Sequence, residues 1–268
     1  MAPFLRWAGG KRWAVPIVRK LVGDFEPETY IEPFSGGCAV FFGLPMGARA
    51  ALSDTNGELI ATYRTVQLRP RAVADGLARL ANDSETYYEQ RAMNPPDELA
   101  AAVRFIYLNH TSFNGIYRVN LRGQYNVPFG SRKSMRMPDL GTLLLASSQL
   151  TRATLRVEDF EESIDRARAG DLIFADPPYS VANEGQGFVK YNEKVFSFED
   201  QERLRKALDR AKKRSVFFVL TNADHPSIRE LFGRIADPVE YERRSVVGGH
   251  LASRGRTREL FFTNLGTS

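Results

Sequence analysis

The sequence predicts an α/β fold built on a mostly parallel sheet with an antiparallel C-terminal hairpin, and three observations predict it. Short β-branched or aromatic runs alternate with helix-like stretches along most of the chain. The last two such runs are joined by a connection too short for a helical crossover. A stretch in the middle breaks the rhythm and reads as an inserted, mainly helical domain. The expected strands are Thr29–Pro33, Ala50–Ser53, Thr154–Glu158, Asp171–Ala175, Ser215–Thr221, Tyr241–Val247 and Arg258–Thr263. Among the helices, Ser197–Lys213 carries Leu204 and Leu208 at helical spacing, and Pro226–Phe232 opens on a proline, whose fixed φ suits a first helical position. The Gly- and Arg-rich Gly248–Arg256 joins the final pair.

The insertion is expected over residues 58–145, leaving 1–57 and 146–268 as the α/β domain. Helical patterns such as Glu98–Leu108 dominate its first part, and a polar, basic segment, Asn109–Lys133, follows. A structureless loop of that length inside a compact fold would be unusual.

Composition narrows the function classes. With 268 residues, 43% of them hydrophobic and 26% charged, the chain can bury a sizeable core. No apolar run approaches the ~20 residues of a membrane span. Arg6, Lys11 and Arg12 interrupt the opening segment, which lacks the apolar stretch of a secretory signal, so a cytoplasmic location is expected. One cysteine, Cys38, excludes an internal disulfide, and His110, His225 and His250 are too scattered for zinc spacing, so no metal is expected. A net charge of +5 favours an anionic partner.

Two segments carry the chemistry. Ile31-Glu32-Pro33-Phe34-Ser35-Gly36-Gly37-Cys38-Ala39 follows a strand and leads into a helix, where paired glycines let the backbone turn closely against a ligand. Asp54 ends the next strand, where an acidic side chain can accept hydrogen bonds from a ribose diol. No diphosphate-binding pattern accompanies it, which favours an adenosine ligand over a dinucleotide. The second segment, Asp176-Pro177-Pro178-Tyr179, directly follows the apolar run Asp171–Ala175. Successive prolines fix two φ angles and withhold two N–H donors, leaving local carbonyls to accept. The 6-amino group of adenine is a poor nucleophile because its lone pair is delocalised into the ring. Asp176 and the Pro177 carbonyl can hold its two hydrogens, and Tyr179 can stack on a base flipped out of a duplex. Orientation toward a methyl donor then needs no covalent intermediate.

These motifs, in this order, resemble the Dam-type DNA adenine methyltransferases of the alpha subgroup, the D12 class. The resemblance runs from Arg6-Trp7-Ala8-Gly9-Gly10-Lys11 through Glu32 to Gly37, Asp54 with Asn56, Tyr107-Leu108-Asn109, and Asn126-Val127-Pro128-Phe129-Gly130 to Asp176–Tyr179. It implies a Rossmann-like methyltransferase sheet, S-adenosylmethionine as cofactor and double-stranded DNA as partner. Cofactor contacts would come from Trp7, Ala8, Gly9, Lys11, Glu32, Pro33, Phe34, Ser35, Gly36, Gly37, Asp54 and Asp176, with Asp159 or Phe160 near the cofactor adenine. The insertion becomes the target-recognition domain, with a β-hairpin over Ser112–Val127. In it Phe113 and Asn114 would wedge at the flipped site, Ile116 and Pro128 would touch thymine methyls, and Arg118 would read a guanine. Asn120, Arg122 and Asn126 belong to the same DNA-facing set. The target implied is GATC. Arg6 stands where the family usually has lysine at the first guanine, and Arg132 replaces an aromatic residue of the outer contact. Arg254, in a loop resembling the family's mobile loop, would meet phosphate together with Arg243 and Arg244. A monomer acting on one strand at a time suffices for a palindromic site. A separately acting restriction endonuclease, a free-standing role and a phage origin all stay open, as do an RNA methyltransferase and a catalytically silent DNA-binding relative.

Overall fold

The computed structural model describes residues 1–44, 47–120, 122–132, 135–179, 196–244 and 256–266. Its strands are β1 (Thr29–Glu32), β2 (Arg49–Asp54), β3 (Ala153–Val157), β4 (Leu172–Ala175), β5 (Phe217–Ala223), β6 (Pro238–Arg244) and β7 (Arg256–Thr263). They form one seven-stranded sheet in the order β3-β2-β1-β4-β5-β7-β6. β2 and β3, β1 and β4, and β4 and β5 pair parallel, whereas β7 runs antiparallel to both β5 and β6. The sheet is therefore mostly parallel with an antiparallel C-terminal pair. β1 and β4 are neighbours although two strands separate them in sequence, which makes their carboxyl ends the switch point where ligands of open α/β sheets bind.

The helices are α1 (Val15–Val22), α2 (Ala39–Gly43), α3 (Gly57–Leu68), α4 (Pro70–Ala78), α5 (Ser84–Ala92), α6 (Glu98–Thr111), α7 (Leu140–Leu150), α8 (Phe160–Asp165), α9 (Phe198–Lys213) and α10 (Pro226–Phe232). Two compact units divide the chain, Met1–Ile17 with Ser35–Glu158, and Val18–Phe34 with Asp159–Ser268.

In the first unit the helical stretch has clear local causes. Asn56, Asp83, Asp97 and Asp139 each cap a helix by accepting an amide of its first turn, at 2.8–3.1 Å. Pro70 starts α4, where its missing N–H costs nothing. α6 is buried all round its second half, where the consecutive Phe105, Ile106, Tyr107 and Leu108 are all covered. In the second unit β4 is buried along its whole length, as a central parallel strand must be, and α9 opens with a reciprocal Ser197–Asp200 capping box.

Several boundaries differ from the sequence reading for identifiable reasons. β5 begins at Phe217 because Ser215 has a left-handed φ of 61° that no strand accommodates. β4 begins at Leu172 because Asp171 belongs to the preceding turn, its carboxylate accepting the Arg168 amide at 2.8 Å. The hairpin expected over Ser112–Val127 takes the form of two isolated bridges, Ser112 with Phe129 and Val119 with Tyr125. A 3-10 turn at Phe113–Gly115 interrupts it, since Asn114 (φ 57°) and Gly115 (φ 65°) are consecutive left-handed residues and cannot propagate strand pairing. Residues 245–247 of the expected sixth strand, and 248–255 of the connection after it, lie outside the described residues. Among the described residues no helix is long and apolar enough to cross a membrane.

Candidate active site

The first unit gathers Trp7, the Ser35-Gly36-Gly37 loop and Asp54. The indole of Trp7 lies against the loop so closely that a Cβ on Gly36 would meet its Cδ1 and Nε1 at 2.8 Å, and one on Gly37 its Cβ at 2.9 Å. Gly36 also has a φ of 43°, which favours glycine. Trp7 is thus one neighbour that requires glycine at both positions. The loop is further tied by the Gly36 amide, which donates to Asp54 Oδ2 at 3.0 Å, and by the Gly36 carbonyl, which accepts the Tyr63 hydroxyl at 2.7 Å. Asp54 Oδ1 accepts the Asn56 amide at 2.9 Å. Burial pushes the half-buried Asp54 carboxyl up, while amides of Asn56, Gly36 and Thr55 pull it back. Lys11 is buried, with Nζ 5.8 Å from the Trp13 ring centre, and Ala8 and Gly9 are exposed. Cys38 is fully buried at the entry to α2, a packing position.

Most of the residues expected to face DNA belong to the same unit. Asn109 clamps the backbone of Arg6 from both sides, its Oδ1 accepting the Arg6 amide at 2.8 Å and its Nδ2 donating to the Arg6 carbonyl at 2.6 Å. Burial, then the charge of Arg132, lower the Arg6 guanidinium pKa. Phe113 is 52% exposed, a large apolar ring held out at the tip of the 3-10 turn. Its amide is fixed by the Pro128 carbonyl at 2.9 Å. Arg118 is exposed and held from one side by Asn126, its Nε donating to Asn126 Oδ1 at 2.8 Å and its Nη2 to the Asn126 carbonyl at 3.4 Å. Asn120 braces the turn instead, its Oδ1 accepting the Arg122 and Gln124 amides. Arg122 is exposed, Ile116 half-buried, and Arg132 half-buried with its carbonyl accepting from Asn82. Arg254 lies outside the described residues, as do the side chains of Arg243 and Arg244.

The second unit holds the Asp-Pro-Pro-Tyr turn at the carboxyl end of β4. Asp176 Oδ1 accepts the Thr221 hydroxyl at 2.8 Å from the end of β5. A long 3.5 Å contact links the Gln201 amide nitrogen to the Pro178 carbonyl, and Gln201 in turn accepts from Asn222 at 2.9 Å. Thr221, Gln201 and Asn222 are fully buried. The Tyr179 hydroxyl donates to Glu259 Oε2 at 2.6 Å. In the same unit Phe34 stacks on Phe160 with ring centres 5.2 Å apart, and Phe196 meets both edge-on or tilted. Asp159 caps α8 through the Glu161 amide and pairs with Arg203 at 2.8 Å, so its carboxylate is already engaged. Arg203 also covers the Phe160 ring at 4.8 Å. Glu32 and Pro33 are buried, with the Tyr30 hydroxyl donating to Glu32 Oε2 at 2.7 Å.

Sequence reasoning missed Tyr63, Thr221, Gln201, Asn222, Glu259 and Arg203. None sits in a motif; each reaches its partner through the fold. Tyr117 was also missed. Its ring stacks on Trp7 at 5.9 Å and its hydroxyl donates to Glu58 at 2.7 Å, while burial and then Glu58 push its pKa up. Among the described residues no group of His, Cys, Asp and Glu suits a metal ion.

A parallel sheet with an antiparallel last pair and an acidic Pro-Pro-Tyr turn at its switch point define a Rossmann-like methyltransferase. Residues 7–246 match the D12 class N6 adenine-specific DNA methyltransferase family, and the chain belongs to it. The chain is 33% identical to the type II methyltransferase M1.LlaDCHI of Lactococcus lactis subsp. cremoris, over 99% of this chain and 96% of that one. It is 30% identical to the DNA adenine methylase of Escherichia coli K12, over 96% and 91% of the two chains. Identity to the type II methyltransferase M.MjaIII of Methanocaldococcus jannaschii is 32%, over 82% and 84%. The expectation of an adenine-specific DNA methyltransferase is thus borne out at the level of the family.

Proposed function

We propose that the chain methylates the exocyclic amine of an adenine flipped out of a short duplex site, GATC by default, using S-adenosylmethionine. The observation that carries this reading is the Asp176-Pro177-Pro178-Tyr179 turn, whose carboxylate is oriented by the buried Thr221 and whose tyrosine is anchored at its hydroxyl. Asp176 and the Pro177 carbonyl accept the two amine hydrogens, turning the nitrogen lone pair out of the ring. Tyr179 stacks on the base, worth about 1–3 kcal/mol in other base–aromatic stacks. S-adenosylmethionine supplies an electrophilic methyl group on a sulfonium centre. The donor set suits its adenosine part: the amides of Gly36, Asn56 and Thr55 favour the Asp54 carboxylate without filling its about four lone-pair sites, so it can still accept from ribose hydroxyls. The half-buried Phe34, backed by the buried Phe160, suits an adenine ring, a role that fits it better than the ion-paired Asp159.

Residues 58–145 act as the target-recognition domain in this reading. Arg118, supported by Asn126, offers its terminal nitrogens to guanine O6 and N7, the commonest specific contact in the major groove. Arg6 reads the other guanine, Phe113 and Asn114 enter the space left by the flipped base, Ile116 and Pro128 meet thymine methyls, and Arg132 and Arg254 serve the flanks. Asn120 supports the turn that carries Arg122. The protein works as a monomer on DNA, and a cognate restriction endonuclease, where one exists, acts separately.

Single-molecule sequencing of unmethylated genomic DNA treated with the protein and S-adenosylmethionine tests this directly. Methyladenine confined to GATC is the expected result. Another adenine motif would discard the specificity reading, and the absence of any modified DNA base would sink the whole proposal.

A further inference from the structure

We propose that Glu259 is a positioning residue for methyl transfer, its buried carboxylate fixing the ring of Tyr179 so that the stacking face is set before DNA arrives. The inference rests on the reading of Tyr179 as the surface on which the target base stacks.

Glu259 lies in β7, an interior strand between β5 and β6, opposite Ala223 on one side and Tyr241 on the other. It is only 1% exposed and is followed by Leu260, Phe261 and Phe262, each fully buried. A carboxylate at the head of such an apolar run is costly to bury unless hydrogen bonds compensate it. The Tyr179 hydroxyl supplies one at 2.6 Å, the short distance of an O–H donor facing a charged acceptor. The two preceding prolines restrict the backbone of the turn, but they leave the tyrosine side chain its own torsions. Thr221 and Gln201 act on Asp176 and on the Pro178 carbonyl rather than on the tyrosine hydroxyl. The bond to Glu259 holds its far end, on a strand whose pairing on both sides makes it rigid. A ring pinned at its hydroxyl presents its face without reorganisation, the condition under which orientation lowers a barrier.

The test compares E259L, E259Q, Y179F and E259L/Y179F in single-turnover methylation of a duplex carrying the wild-type target. E259L is expected to slow transfer about 10-fold, the scale of one hydrogen bond to a charged group, while KM for DNA stays within about 2-fold. E259Q, which keeps an acceptor of the same length, is expected to stay within about 3-fold of wild type. Y179F should match E259L, and the double variant should be no slower than either. With 2-aminopurine at the target position, E259L should leave the flipped base brighter than wild type does, because stacking quenches it. Wild-type rates in E259L, a loss confined to KM, or multiplied losses in the double variant would overturn the proposal. If E259L loses its native circular dichroism, Y179F decides: a wild-type rate there is equally fatal. A wild-type protein that methylates no adenine in any DNA refutes the functional reading itself, a result distinct from active wild type with indifferent variants, and this inference falls with it.

Discussion

Replacing Gly36 by alanine tests why the loop carries glycines, because the structure gives two separable penalties. Residue 36 has a φ of 43°, and a side chain in left-handed backbone costs about 1–2 kcal/mol. The added methyl also falls 2.8 Å from Cδ1 and Nε1 of Trp7, and overpacking a tight site costs about 1–3 kcal/mol. The expected total is about 2–5 kcal/mol. In a Trp7→Ala background the indole is gone and only the backbone term remains, so G36A should cost about 1–3 kcal/mol less there. Gly37→Ala provides the control. Its methyl would meet the Cβ of residue 7 at 2.9 Å, an atom that Trp7→Ala retains, so W7A should not relieve it. Urea titrations followed by far-ultraviolet circular dichroism on the wild type, single and double variants give both coupling energies. A coupling below about 0.5 kcal/mol for G36A with W7A, within ordinary additivity, would refute the packing argument. A loss of cofactor affinity by G36A with unchanged stability would return these glycines to the ligand.

Asp176→Ala is expected to abolish methyl transfer while DNA and cofactor binding persist in part, measured by radiolabelled methyl incorporation alongside gel shift; full activity would remove Asp176 from the amine. Arg118→Ala should lower discrimination at one guanine by about 1–3 kcal/mol, read by comparing binding to cognate and substituted duplexes, and equal weakening on all sequences would make it a phosphate contact. For His110, burial pushes the imidazole below its ordinary 6.5 against the pull of the Phe4 carbonyl, with Arg6 and Arg132 lowering it further. A base depressed in the folded state stabilises above its unfolded pKa and loses that contribution as pH falls. The stability advantage of wild type over His110→Gln should therefore shrink below pH about 6.5, by up to about 1.4 kcal/mol per unit, and parallel curves in urea titrations at several pH values would refute this.

The parts of this molecule that were legible in the sequence are those set by local chemistry. α10 begins at Pro226 because proline suits a first helical position, and α9 begins after Ser197 because serine and an acid three residues on cap each other. The sheet followed from β-branched runs, and the antiparallel end from the shortness of one connection. What was illegible depends on conformation or on distance along the chain. Nothing in Ser215 announces a positive φ, whereas Asn114-Gly115 is the dipeptide that most favours two in a row, a local signal that the expectation of a regular hairpin over Ser112–Val127 passed over. The braces of the Pro-Pro-Tyr turn come from positions 201, 221, 222 and 259, too remote for any spacing rule. Glu259 ends the charged half of β7 just before the apolar Leu260-Phe261-Phe262, and only the structure shows that it is buried with them.

Asp54, which we propose as the ribose ligand, is also a structural brace. Its two oxygens accept the Gly36 and Asn56 amides, so the carboxylate sets both the glycine loop and the first turn of α3, which Asn56 itself caps. A carboxylate has about four lone-pair sites, so these amides do not exhaust it and a diol can still donate to it. Burial favours the neutral acid, whereas the amides favour the ionised one, and a ligand offering two hydroxyl donors would act in the same direction as the amides. Binding at this position would therefore lower the Asp54 pKa and tighten the loop's hold at once. A mutation here must be read through both effects: the loss of ligand affinity includes whatever the Gly36 loop and the Trp7 ring packed on it lose in order.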